Sequence, residues 1–133
     1  MWWWLLLLPV AVETEAQWIE APALHAVEVQ MLAEVNASRV HLGRDALIPD
    51  MVLVRESRRH AFWMARNQSM THGHGRAENI AMGQRTARGV QVDWMNSSGH
   101  RSNILGGHTH FGGSVCRSRG GTLYWCQRFR RWR

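Results

Sequence analysis

The sequence predicts an α+β domain, and three observations carry that prediction. Apolar residues recur at helical spacing in three stretches between Leu24 and Asn96, they alternate around Gly120-Gly121 near the end, and no internal repeat interrupts the order. A chain of 133 residues, 45% hydrophobic, suits one compact domain and excludes wholesale disorder. The formal net charge is +6 and every one of the 16 basic residues is arginine. Ten acidic residues are interspersed among them, which reads as solvated faces and argues against a nucleic-acid-binding stripe.

The apolar run Met1–Val12 is shorter than the roughly 20 residues a membrane-spanning helix needs. With Pro9 as a breaker and Thr14-Glu15-Ala16 as a small-residue cleavage site, residues 1–16 read as an export signal and 17–23 as a linker. The domain then spans 24–129. Leu24, Val27, Met31 and Val35 form one helical stripe, which Gly43 ends. Asp50 is suited to cap a second helix running to about Arg66, with Leu53, Ser57, Ala61 and Met64 inward and His60 beside them. Residues 67–84, rich in Gly, His and Asn, read as irregular. A third helix from Thr86 to Asn96 buries Val90 and Trp94; Ser97-Ser98-Gly99 breaks it before a turn over His100–Leu105.

Phe111, Val115, Leu123, Trp125 and Phe129 alternate on the two arms of a terminal hairpin. Placing Val115 opposite Gln127 and Phe111 opposite Arg131 keeps the apolar set on one face and puts Cys116 across from Cys126. A Cys116–Cys126 disulfide in an exported protein is the expectation. Residues 130–133 form a basic aromatic tail. With Arg128 and Phe129 it is suited to weak contact with an anionic membrane.

Chemistry-bearing residues concentrate in Thr71-His72-Gly73-His74-Gly75-Arg76-Ala77-Glu78 and in Ser97-Ser98-Gly99-His100. Imidazole and carboxylate together can ligate a divalent ion or exchange protons. Neither His-x-His nor His-x5-Glu is diagnostic by spacing. Ser97 and Ser98 beside His100 lack the turn that exposes a hydrolase serine.

These same segments resemble the CAP superfamily of cysteine-rich secretory, antigen 5 and pathogenesis-related proteins, in its short bacterial SCP-like branch. The matching blocks are Leu32-Ala33-Glu34-Val35-Asn36 with Arg39, then Leu53, Ser57, His60, Ala61 and Met64, then Thr71-His72 and Glu78-Asn79-Ile80-Ala81. Trp94-Met95-Asn96-Ser97 with Gly99-His100-Arg101 and Asn103-Ile104-Leu105 follows, and Tyr124-Trp125-Cys126-Gln127 with Phe129 closes the series. The resemblance implies an α-β-α sandwich, with helices around a small antiparallel sheet, and a cleft set of His72, Glu78 and His100. Where the eukaryotic branch has a further glutamate, this chain has Ser97; Ala77 stands where a glycine usually precedes Glu-Asn-Ile. His74, His108 and His110 are candidates to compensate. Asn36, Arg39 and Asn79 read as scaffold.

The expected function is a secreted or periplasmic, monomeric, non-catalytic domain that binds an envelope or extracellular lipid, glycan or protein. Its cleft is a candidate site for a divalent metal, zinc first. The alternative is a metal-assisted hydrolase using the same residues. No nucleic-acid partner is expected.

Overall fold

A computed structural model describes residues 14–132. The apolar run read as an export signal lies outside the described residues, apart from Thr14-Glu15-Ala16. These open helix α1 (Glu15–Glu20): the Thr14 side chain accepts from the Gln17 amide, and the Gln17 side chain accepts from the Thr14 amide in return. The expected linker at 17–23 is therefore the end of a helix and a tied-down turn. Its carbonyls at Ile19, Ala21 and Ala23 all accept from Arg58.

Helix α2 (Ala26–His41) carries Met31 and Val35 inward, as their spacing predicts. After a two-residue strand β1 (Ile48–Pro49), Asp50 caps α3 (Met51–Asn67) by accepting from the Val52 amide. Leu53, Ser57, Ala61 and Met64 form its buried stripe. The stretch 67–84, expected to be irregular, contains strand β2 (Ala77–Met82). Asn79, Ile80 and Ala81 are buried in succession, so β2 has two covered faces and shows no polar–apolar alternation to betray it. Helix α4 (Ala87–Met95) starts at a Thr86 cap, and the expected turn over His100–Leu105 is mostly helix α5 (Ser98–Ile104). Strands β3 (His110–Arg117) and β4 (Leu123–Arg130) complete the described chain.

The sheet order is β1-β3-β4-β2, with β1 parallel to β3 and the other pairs antiparallel. On one face Ala81, Phe111, Trp125 and Phe129 meet Met31, Val35, Val90, Trp94 and Ile104 from α2, α4 and α5. On the other, Ile80, Tyr124 and Cys126 meet Ala61, Met64 and Ala65 of α3. The α-β-α sandwich expected from the resemblance is the architecture found. A half-buried amide and a buried guanidinium brace its loops. Asn36 exchanges two hydrogen bonds with Leu47, and Arg39 donates to the carbonyls of Asp45, Ile104 and Gly106.

The hairpin register differs from the expected one by two residues. Val115 faces Trp125, Phe111 faces Phe129, Ser114 faces Cys126 and Cys116 faces Tyr124. A two-residue slip preserves which face each side chain occupies, so hydrophobic alternation alone cannot distinguish the two registers. The turn decides: Ser118 donates its amide to the Thr122 carbonyl, and Gly121 adopts φ +91°. The Cys116–Cys126 disulfide is corrected accordingly. Both are free thiols, diagonal neighbours on the α3 face. The tail reading also changes, because β4 continues through Arg130. Arg128 and Phe129 are buried, and Arg130 pairs with Asp50 and lies over the Trp132 ring. No helix of the described residues is long and apolar enough to cross a membrane.

The closest approach of layers is at Gly112, where an added β-carbon would collide with the backbone of Leu53 and Val54. Ser57 donates to the Gly112 carbonyl at 2.9 Å across this contact. Gly112→Ala is expected to lower the unfolding free energy by about 3 kcal/mol, because backbone must move. Gly120→Ala, whose β-carbon meets nothing nearer than 4.0 Å, serves as the near-neutral control. Urea denaturation of both variants checks this. Burial and the nearby Glu78 push the Cys126 thiol up to about 12, and burial raises Cys116 as well. Native purified protein at pH about 8 should leave Cys126 unalkylated, while unfolding exposes two titratable thiols. A mass two hydrogens below the reduced value would contradict that.

Candidate functional site

Glu78 sits in β2, directly opposite Arg128 of β4, and Arg128 in turn faces Gly112 of β3. Period-two geometry aims the Glu78 and Arg128 side chains at α3. The Glu78 side chain is only 3% exposed, yet it makes a full set of contacts. Its Oε1 accepts from the Gly73 amide at 2.8 Å and faces His72 Nδ1 at 3.0 Å. Its Oε2 accepts from Arg128 Nε at 2.8 Å and from Cys126 Sγ at 3.8 Å, and lies 2.7 Å from Arg128 Nη2 within the same ion pair. Two donors on each oxygen occupy the lone-pair positions a carboxylate offers. His60 of α3 lies 3.9 Å from the same carboxylate and contacts the Thr71 carbonyl at 2.6 Å.

Burial acts to raise the Glu78 carboxyl. The Gly73 amide, the Arg128 charge and the two nearby histidines outweigh it and hold the group below the ordinary carboxylate range. Arg128 also reaches Glu56 of α3 at 3.4 Å, and Glu56 is clasped by Arg76 through two 3.1 Å contacts. The Arg76 hydrogen bonds keep Glu56 low as well. Gly73 leaves room for this pair: a β-carbon at that position would collide with Arg128 Nη2 and displace the guanidinium from its place beside Glu78.

His72 presents its ring to solvent, 60% exposed, while Nδ1 is held on Glu78. His100, in α5, is half-buried, and its backbone carbonyl accepts from Asn79. Asn79 also donates to Gln127 and accepts from Asn103, so buried amides fix α5 against β2 and β4. Burial, then the neighbouring His72, lower the His100 imidazole pKa. The structure thus brings the expected His72 and Glu78 into contact and sets His100 near His72.

Ser97 and the histidines expected to compensate for the missing glutamate lie elsewhere. His74 is exposed on the loop, and Ser97 caps α5 by its backbone position with no side-chain hydrogen bond. His108 stacks on Phe129 at 5.1 Å, and His110 contacts Thr109 and the edge of Trp132. None of these four contacts Glu78. Sequence reasoning gave no role at the site to Arg128 or Glu56, and named Gly73 and Arg76 only as members of the segment that holds His72 and Glu78. Arg128 carried the one available signal, a basic residue at the β4 position that shares a face with Cys126.

The donor set does not fit a zinc centre. Glu78 has no free lone pair, and Arg128 lies against it, so an ion would find two imidazoles beside a guanidinium. Among the described residues no group of three His, Cys, Asp or Glu side chains is placed to hold a metal.

A family model described as the cysteine-rich secretory protein family, CAP, matches residues 32–129. An uncharacterised Bacillus subtilis protein, YkwD, is 49% identical over 53 residues, which is 39% of this chain and 20% of that protein. The chain thus matches about one fifth of that curated relative's length. Among solved structures, an outer surface protein of Borrelia burgdorferi superposes with TM-score 0.69 at 17% identity, over 78% of this chain and 92% of that one. An SCP-domain extracellular protein of Bacillus anthracis gives 0.63 at 21% identity, over 79% and 40% respectively. The fold is shared across these structures.

Because the Glu78 carboxyl is lower in the folded chain than its unfolded value of about 4.3, its contribution to stability is complete above that value. It is lost as pH falls through the folded value, and Glu56 acts in the same direction. Glu78→Gln is expected to cost about 3 kcal/mol at neutral pH, since Arg128 is left half-paired. It should also flatten the loss of stability below pH about 4.5. Urea midpoints measured from neutral to acid pH on wild type and variant check both.

Proposed function

The chain belongs to the cysteine-rich secretory protein (CAP) family, and from that premise we propose that it is a non-catalytic binding domain acting outside the cytoplasm. The ligand would be an envelope or extracellular lipid, glycan or protein. One observation carries this reading: the single carboxylate beside the histidines is saturated by Arg128, His72 and Gly73. A general base needs a free lone pair, and a metal ligand needs one too. What the site offers outward is His72, whose Nδ1 is engaged and whose Nε2 faces solvent as a hydrogen-bonding group, with His100 beside it. An extracellular location is supported by the match to the secretory family and by the likeness to an extracellular SCP-domain protein.

Two experiments test the proposal. In calorimetric titration with zinc, wild type and the His72→Ala/His100→Ala variant are expected to give the same small heats. A one-to-one isotherm that disappears in the variant would restore the metal-assisted hydrolase. Sedimentation with isolated envelope fragments is expected to carry down wild type and to lose the His72→Ala protein, whose exposed ring makes no contribution to the core. Equal sedimentation of the two would place ligand binding away from this site.

A further inference from the structure

Many of the arginines are spent inside the fold. Arg55, Arg58, Arg59, Arg76, Arg128 and Arg130 each face a carboxylate within salt-bridge distance. Eight exposed arginines have no carboxylate at that distance among the described residues. Four of the eight, Arg66, Arg85, Arg117 and Arg119, gather where the β3–β4 hairpin tip meets the end of α3 and the loop after β2, whereas Arg44 and Arg131 line a different groove.

Two grooves flank the tip and share Arg117. The first, of about 530 Å³, has Arg66, Arg117 and Arg119 in its wall, with Phe62 and a single opposing carboxylate, Glu15. The second, of about 580 Å³, runs between Arg85 and Arg117 over the backbone of Gly120 and Gly121. Each is far larger than one phosphate group, and Arg117 is the residue common to both walls.

We propose that this end of the molecule binds a linear phosphate polymer lacking bases, laid across Arg117 from one groove to the other. Guanidinium groups present forked donors that match tetrahedral oxyanions, and four of them with no carboxylate partner among the described residues offer that capacity at one end of the molecule. Among the described residues the half-buried Phe62 is the sole aromatic side chain in either wall, so there is no platform for stacked bases. No helix among them projects from the tip to enter a duplex groove. The surface is separate from the His72–Glu78 site, none of whose residues lines either groove.

The test uses the full chain with long-chain inorganic polyphosphate as probe, followed by fluorescence anisotropy or calorimetry. Wild type is expected to bind, with affinity falling steeply between about 50 and 200 mM salt. Arg117→Gln/Arg119→Gln is expected to weaken binding at least about tenfold while its circular dichroism and melting temperature stay unchanged, since both side chains are exposed. Arg44→Gln/Arg131→Gln removes the same charge from a different groove and is expected to change binding little. Equal losses in the two double variants would reduce the effect to net charge and overturn the proposal. So would failure of wild type to bind. A mixed-sequence single-stranded oligonucleotide that binds as tightly and displaces polyphosphate would make nucleic acid the occupant instead.

Discussion

The pairing of Arg58 with Glu28 is the contact on which the remaining architecture depends. Both side chains are about 1% exposed, so neither has water to fall back on. A guanidinium carries five N–H donors, and all five are used: two on Glu28 and three on the carbonyls of Ile19, Ala21 and Ala23. Glu28 is equally complete, accepting also from Ser114 and from the His25 amide. Burying either charge with a partner missing costs several kcal/mol, so α1, the turn after it, α2, α3 and β3 are bound to one arrangement. Capping reinforces it, because the Glu28 oxygen that meets the His25 amide also closes the first turn of α2.

A single turn of α3 carries this constraint to the site. Glu56 reaches Arg128, Ser57 bonds the Gly112 carbonyl, Arg58 holds Glu28, and His60 lies against Glu78. The helix can lie this close only because Gly112 has no side chain. Two buried carboxylate–guanidinium pairs therefore stand on either side of one backbone contact, and the geometry of the second inherits the rigidity of the first.

What is legible in the sequence follows from which signals are local. Helices announce themselves through periodicity and caps, so Asp50 and Thr86 mark the starts of α3 and α4 in the sequence itself. Strand β2 does not, because burial on both faces erases alternation and leaves Asn79 looking like a loop residue. The hairpin register escapes for a related reason: patterning defines parity, and only turn geometry distinguishes slips of two. At the site, His72 and Glu78 are accessible through the resemblance. Arg128 is not, since a charged residue near a chain end reads as solvated unless the strand pairing that buries it is known. The same bias hides Arg58.

The two carboxylates differ in what they leave open. Around Glu28 every donor and acceptor is consumed within the fold, so the pair is structural and nothing emerges at the surface. Around Glu78 the last partner is an imidazole whose other nitrogen faces outward. An ionised carboxylate on Nδ1 selects the tautomer with its hydrogen there, which makes the outer Nε2 of neutral His72 an acceptor. The proposed recognition role rests on this pairing of a saturated interior with an outward hydrogen-bonding edge, and the contacts of Glu78 with Arg128 and Gly73 hold that edge in one orientation.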